Sequence, residues 1–415
     1  MAIYDTLAAV DGYMKEVYTN FDVVEASYSK DHVLWSMIPK KHVAGNPMKI
    51  SMLTSNGAGV SGTLSAASAS ASGIVPQAWQ VQTADLIAVV PLDNKVMETA
   101  ESPGAFIDYV DQNIQGKLEG MGCQQSAQLF SNGGGAIGRR ASISTNTITL
   151  ANASDTINFW PGIILRASAN NGTSAGHTQR VGSTSVVSVN REAGTVTVAS
   201  AAAITGFVDN DYLFIDGLFA GDQSQTRIIK GLSSWFTPTA ATDTLWTIDR
   251  TNSPELSGYR NPSAATAGGV VDRMRALATI GHRTWQAKPT VGVLYSEQWE
   301  VASKTLQNQG FRPIDVNETS TMSGYKKLAI VGQYGEVSLI ADPFCPQLTG
   351  YMLDMKTLQI AHAGEKVVNF AKGPGDQMYV PSTTDLAWDI RIFSYCNLAC
   401  NAPWKNGSTP LPTLP

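Results

Sequence analysis

The sequence predicts an α+β fold carrying an inserted all-β module, and three stretches carry that prediction. Residues 102–130 repeat apolar side chains at threes and fours, as a helix does. Residues 141–230 are rich in β-branched side chains, with turn signals between short runs. Residues 386–393 alternate between two faces, as a strand does: Leu386, Trp388, Ile390 and Ile392 against Asp389, Arg391 and Phe393. The 415 residues suffice for two or three domains. Hydrophobic residues make up 43% and charged residues only 15%, which suits a chain that buries much of its surface in an assembly.

From the start, an amphipathic helix is expected over Ile3–Val17, with Leu7, Val10, Met14 and Val17 on one stripe. The apolar patch Val33–Ile38 follows, ending in Pro and Gly signals and without an obvious local partner. Two strand-like runs, Pro47–Leu53 and Ala78–Val90, flank LTSNGAGVSGTLSAASASASGI, which is almost wholly Gly, Ala, Ser and Thr and bears no charge. Such a stretch buries too little apolar surface to offset its ordering entropy. It is either a linker or an extended arm that orders against a neighbour.

The clearest helix has Ser102 as N-cap and Pro103 at its first position. Phe106, Ile107, Val110, Ile114, Leu118 and Met121 form its stripe, and Gly116, Gly120 and Gly122 weaken it locally. It stops at the glycines after Phe130 and is expected to lie across a sheet. Candidate strands of the inserted module are Ile143–Leu150, Gly162–Ala167, Ser185–Val189, Thr195–Ala199 and Tyr212–Ile215, suggesting a small barrel or sandwich. Beyond Gly231 the pattern is mixed. A helix over Gly268–Ile280 stops at Gly281, a strand covers Pro289–Tyr295, and Ser296 caps a helix through Leu306. Strands follow at Leu328–Val331, Glu336–Ile340, Gly350–Asp354 and Leu358–Ala361, and the tail after Ala402 reads as loose or surface-bound.

Chemistry is sparse. SNGGGAIGRR, residues 131–140, lacks the Gly-Lys-Ser/Thr ending of a phosphate loop and follows a helix, so it reads as a helix stop. Cys396 and Cys400, if on one strand, stand about 13 Å apart, too far for a disulfide or one metal ion. With Cys123 and Cys345 they make no disulfide framework, which fits synthesis in a reducing cytoplasm. Asp209, Asn210, Asp211 and Asp216 lack the order and closing Glu of a calcium loop. His32, His42, His177, His282 and His362 are scattered, and no hydrolase or zinc motif is present. No catalytic, cofactor or metal residue is therefore assigned. The net charge of −5 excludes a general basic coat for nucleic acid, leaving Arg139, Arg140, Arg273 and Arg275 as candidates for local contact. The opening segment lacks the features of a secretory signal, and no run of 18 apolar residues could span a membrane.

The order of parts resembles the HK97 fold of tailed-phage major capsid proteins. Residues 104–135 resemble that family's spine helix and its glycine turn. EVSLIADPFCPQLTGYMLDMKTLQIA, residues 336–361, resembles the strand pair leading out of the axial domain, and DLAWDIRIFSYCNLACNAP, residues 385–403, resembles the closing peripheral strand. The resemblance implies an N-terminal arm over 1–47, an extended β-hairpin loop over 48–82 and a peripheral domain with the spine helix over 83–140. The inserted β-domain then takes 141–230, the axial domain 231–335, and returning strands with the tail 336–415. It implies a non-enzymatic subunit that self-assembles as hexamers and pentamers into an icosahedral shell around viral double-stranded DNA. The shell would form in the host bacterial cytoplasm and become the virion capsid. Its loop would lie over one neighbour and its arm beneath another. Implied partners are a scaffolding protein, a portal, a decoration protein and the packaged DNA. Some members cross-link a loop Lys to a neighbour's Asn. Here Lys49 is the only Lys between residues 42 and 94 and sits at the loop base, so no cross-link is expected. Alternatives are an encapsulin-like nanocompartment, whose members are usually shorter, and a carbohydrate-binding or carbohydrate-active β-domain protein, for which no acidic pair near aromatics is evident.

Overall fold

The computed structural model describes residues 3–18, 32–53, 59–71, 76–93, 95, 103–173, 176–221, 228–251, 253–263, 268–308, 328–332, 335–373, 375–382 and 387–413. The chain divides into two compact units. The first comprises Met1–His42, Thr83–Ser234 and His362–Asn397, and the second Val43–Gln82, Trp235–Ala361 and Leu398–Pro415.

The first unit is built on the helix Pro103–Phe130, 28 residues and therefore about 42 Å long. Val110, Ile114, Leu118 and Met121 of the expected stripe are buried. Ser102 lies outside the described residues. The helix packs against the strand Ala84–Asp93, which pairs antiparallel with Ala387–Cys400 from Asp93 opposite Ala387 to Ala84 opposite Cys396. The period-two burial of that last strand holds at Ile390, Ile392, Ser394 and Cys396, and from there every residue to Cys400 is buried. The expected run Ala78–Val90 is thus two strands, Pro76–Val81 and Ala84–Asp93.

The arm does not stand apart. The helix Ile3–Val17 lies on the long helix, with Leu7, Val10, Met14 and Tyr18 buried. The Tyr18 hydroxyl donates to the Asp111 carboxylate, and Asp11 accepts from the backbone N–H of Met378 at 2.9 Å. The Val33–Ile38 patch, expected to lack a partner within the chain, has one. Its short helix Val33–Met37 also reaches the long helix and buries Leu34 and Trp35, and Ile38 is buried beside it.

Six antiparallel strands close a barrel in the order Tyr212–Ile215, Ala136–Ser144, Thr147–Leu150, Thr195–Val198, Thr184–Asn190 and Ile164–Ser168. Ile148, Phe159, Leu165, Val196 and Leu213 are fully buried in its core. Two details depart from the sequence reading. The first strand starts at Ala136, inside the glycine-rich segment. The expected strand Ile143–Leu150 is a hairpin, because Thr145 turns at φ 53°, a conformation that β-branched residues seldom adopt and that no Gly announces. Asn146 secures the turn by accepting from the N–H of Ala201 and donating to the Ala199 carbonyl.

The second unit holds a six-stranded mixed sheet, ordered Tyr259–Arg260, Gly407–Pro410, Thr349–Leu353, Val291–Leu294, Gly335–Ala341 and Leu328–Gly332. Two of its five pairings are parallel, Tyr259–Arg260 with Gly407–Pro410 and Val291–Leu294 with Gly335–Ala341. The helices Val270–Trp285 and Ser296–Asn308 bury Val271, Met274, Leu277, Ala302 and Leu306 in its core. Gly281 does not end the first of these helices. It clears space for the Tyr259 ring, which would stand 2.5 Å from a Cβ there, and the helix ends at Gln286 in the left-handed conformation.

The tail is not loose. Gly407–Pro410 is an inner strand of this sheet. Asn406, wholly buried, accepts from the N–H of Asp354 and donates to Thr357 Oγ1 at 2.8 Å each and to the Ala402 carbonyl at 3.1 Å. The loop's base also belongs here. Met48–Leu53 pairs antiparallel with Pro76–Val81, burying Met48, Ile50, Met52, Trp79 and Val81, and Trp79 meets Trp235 edge-on at 5.1 Å.

Candidate assembly surfaces

Each motif with chemical potential resolves into internal structure. In the glycine segment, the N–H of Gly133 donates to Ser131 Oγ and that of Gly134 to Asn132 Oδ1. A Cβ on Gly134 would stand 1.9 Å from the Asn171 carbonyl oxygen. The turn is packed against backbone and leaves no cradle for phosphate. The carboxylates once compared with a calcium loop each face an arginine: Asp209 with Arg140 at 3.0 Å, Asp211 with Arg180 at 2.5 Å and Asp216 with Arg166 at 2.6 Å. Asp211 also accepts from the N–H of Val208. Four of the six ions in these pairs belong to barrel strands or their immediate flanks, so the acids close the barrel's turns.

All four cysteines are free. Burial pushes the Cys396 and Cys400 thiols up to about 12, so neither is a thiolate at neutral pH. His42 and His362, far apart in sequence, come together with ring centroids 5.7 Å apart, and each places Nδ1 2.9 Å from the Gly364 carbonyl oxygen. Burial first, and then His42, push His362 below the usual histidine value, against the pull of the carbonyl. No group of three His, Cys, Asp or Glu side chains able to hold a metal ion exists among the described residues. Nor is any described helix long and apolar enough to cross a membrane.

Of the four arginines proposed for nucleic-acid contact, the structure withdraws two. Arg273 is buried and donates to the carbonyls of Pro410 and Ser263 and to Thr409 Oγ1 at 2.6, 3.0 and 3.1 Å, so it ties its helix to the tail strand. Arg140 is buried between Asp209, the Phe207 carbonyl and the Phe207 ring. Arg139 is exposed, bonded to the Asn210 carbonyl and lying over Tyr212. Arg275 is half-buried.

Two surfaces remain without such internal closure. The first is the loop tip. Thr63 caps a six-residue helix, Leu64–Ala69, by accepting from the N–H of Ala66 at 3.4 Å. None of that helix is buried, and Val60 and Leu64 are 100% and 84% exposed. The sequence reading left this stretch without regular structure. Local capping supplies a helical turn and a half although no residue of it is buried. The second surface is a cleft of about 970 Å³ in the first unit, between the strand Ala84–Asp93, the long helix and the foot of the barrel at residues 160–164 and 215–218. Ile87, Val89 and Ile164 project into solvent at its walls. Sequence alone could not show it, because its three walls come from separate stretches of chain.

No protein-family model and no curated protein matches the sequence. Among solved structures, the chain is similar to one of the cyanophage A-1(L) capsid asymmetric unit. The two are 11% identical at a TM-score of 0.53, with 92% of this chain and 93% of that chain covered. It is also similar to a chain of the capsid of an empty GTA particle, at 9% identity, TM-score 0.48 and coverage of 92% and 90%. A third similarity is to the SrpI encapsulin of Synechococcus elongatus PCC 7942, at 10% identity, TM-score 0.43 and coverage of 91% and 86%. The first of these likenesses shows that the chain has an HK97-like capsid fold over nearly its whole length.

Proposed function

We propose that this chain is the major capsid protein of a tailed bacteriophage. Copies assemble as hexamers and pentamers into an icosahedral shell that encloses double-stranded DNA. The observation that carries this reading is the likeness in fold to the cyanophage A-1(L) capsid chain across both proteins. The exposed, uncharged loop tip supports it, since a run of Gly, Ala, Ser and Thr that buries nothing in its own chain is free to bury surface against another molecule.

Within this reading the barrel is an inserted module of the peripheral domain, the second unit holds the axial domain, and the loop reaches a neighbouring subunit. The arm is bound first to its own long helix. Scaffolding protein, portal and decoration protein are the expected further partners, with assembly in the host cytoplasm. DNA contact falls to Arg139 and Arg275 and is weak, without sequence preference and lost as salt rises.

Electron microscopy of the purified protein, followed by nuclease treatment of any particles, tests the proposal. Closed shells that protect double-stranded DNA when produced with their packaging partners support it. Shells that form but hold a protein cargo instead would favour the nanocompartment reading.

A further inference from the structure

His42 and His362 share one acceptor. Each places its Nδ1 2.9 Å from the carbonyl oxygen of Gly364. A carbonyl only accepts, so both rings carry a proton on Nδ1, and Nε2 is the atom left on each to take up another. Its two lone pairs serve the two donors, and the arrangement is complete while both rings are neutral. The acceptor is held in place. Asn369 donates to the Lys366 carbonyl at 2.7 Å and accepts from the Lys366 N–H at 3.4 Å, and its amide nitrogen would stand 2.5 Å from a Cβ on Gly364. The two rings differ in surroundings: His362 is 6% exposed, whereas His42 is open to solvent. The chain leaves the first unit after His42 and re-enters it at His362, so both rings belong to that unit.

The charges around the pair do not favour a second proton. The arm strand Lys40–His42 adds Lys40 and Lys41. The turn after His362 adds Lys366 and one acid, the exposed Glu365. The closing strand meets this turn where the Ala363 N–H donates to the Tyr395 carbonyl at 3.1 Å. There it carries Ser394, Tyr395, Cys396 and Asn397, with no carboxylate or basic group. Asp85 lies one strand further, opposite Tyr395. The short strand Asn369–Phe370 bears no charge, and Lys372 beyond it is paired with Asp376 at 2.8 Å. Among the described residues, no carboxylate is bonded to either ring.

We propose that the two histidines and the Gly364 carbonyl form an acid-labile clasp on the end of the arm. The first proton goes to Nε2 of the exposed His42, where water solvates the charge. A second would set two imidazolium rings 5.7 Å apart, one of them buried. Burial and the neighbouring His42 already hold His362 below the usual histidine value. Opening separates the charges: His42 turns out into solvent with the strand Lys40–His42, while His362 keeps the fixed carbonyl. The open form therefore binds protons more tightly than the closed one. The clasp is whole above about pH 6.5, the free histidine value, and is lost as pH falls below it. It is a property of the single subunit and stands whether or not copies form shells.

Hydrogen exchange on the unassembled full chain, read by mass spectrometry and divided by the intrinsic rate at each pH, tests this. In wild-type protein the protection of residues 38–44 should fall by roughly tenfold between about pH 7.5 and about pH 5, the effect of one unit of pKa. The helix Pro103–Phe130 should keep its protection over the same range. His42→Gln and His42→Asn gain no charge in acid, and since His42 is exposed neither empties a core site. Their protection over residues 38–44 should stay flat. A flat wild-type profile would overturn the clasp. So would variant profiles that fall as steeply as that of the wild type, including ones that are lower at every pH with the slope unchanged, because His42 would then serve only in packing. If one variant fails to fold the other decides, and if both fail the wild-type profile decides.

Discussion

The Val33–Ile38 patch of the N-terminal arm and the loop tip share one feature in sequence: neither has an obvious partner nearby. Their fates differ. The arm sets Leu7, Val10, Met14, Tyr18, Leu34, Trp35 and Ile38 into its own unit, while the tip leaves Val60 and Leu64 in solvent. Side-chain size explains the contrast. Burying a Leu, Val or Met contributes roughly 1.5–3 kcal/mol, so seven large residues hold a segment down. A tip of Gly, Ala, Ser and Thr has little to gain from its own chain and stays available. Large apolar side chains serve folding here, and the small uncharged ones of the tip stay exposed, as the proposed contact between copies requires.

The sharpest test of that contrast replaces one residue in each region. Trp35→Ala should destabilise the unassembled subunit by about 3–5 kcal/mol, the usual cost of emptying a buried aromatic site, read as a shift in its urea midpoint. Leu64→Ala should change the same midpoint by less than about 0.5 kcal/mol and still slow assembly. Excision of residues 59–71 should go further, leaving the melt unchanged and abolishing shells. Its ends already meet, since a Cβ on Gly59 would stand 3.0 Å from the Ala71 Cα. If W35A and L64A shift the midpoint equally, the comparison fails.

A smaller effect lies in the arm's polar latch. Tyr18→Phe removes the hydroxyl that donates to Asp111 and should cost about 1–2 kcal/mol. Gln115 still donates to the other Asp111 oxygen at 2.8 Å, which limits the loss. The latch also sets a pH limit. Burial, and then Asp111, push the Tyr13 phenol up to about 12 and raise that of Tyr18 as well. Both groups therefore hold protons more tightly in the docked arm than in the free chain. Docking is undiminished below about pH 10, the free tyrosine value, and weakens as pH rises through about 12. Protease cleavage near the arm, followed against pH, should rise in that window in wild type, and in Y18F should start from a higher baseline and rise less steeply, because only Tyr13 is left to titrate. Cleavage at the tip should follow no such profile.

The smallest effect is expected at Lys49, exposed and opposite Gln80 on the loop hairpin. Lys49→Ala should leave folding and assembly unchanged, and shells of either protein should give a single band near 44 kDa on denaturing gels without reductant. A ladder that survives boiling in wild type and vanishes in K49A would show that the loop base forms covalent bonds between copies.

What the sequence made legible follows from local physics. The long helix, the closing strand and five of the six barrel strand positions rest on periodicities that the structure retains at Val110, Ile114 and Leu118, at Ile390 and Ile392, and in the β-branched runs. What it hid depends on partners distant in the chain. The tail strand Gly407–Pro410 has no apolar pattern, because its burial rests on hydrogen bonds such as Ser408 Oγ to the Phe236 carbonyl. Gly281 resembled a stop and is a space for Tyr259. Arg273 resembled a surface cation and is an internal clasp. Of the two candidate surfaces, the tip was visible as an uncharged run. The cleft was not, though its glycines were conspicuous as unexplained weak points in a helix.

Sedimentation velocity on the purified wild-type chain, across salt, pH and protein concentration, tests the central claim most directly. The account predicts a fast, discrete boundary from closed shells, with rings as the slower species, and its loss on excision of residues 59–71. A stable monomer under every assembly condition would contradict it.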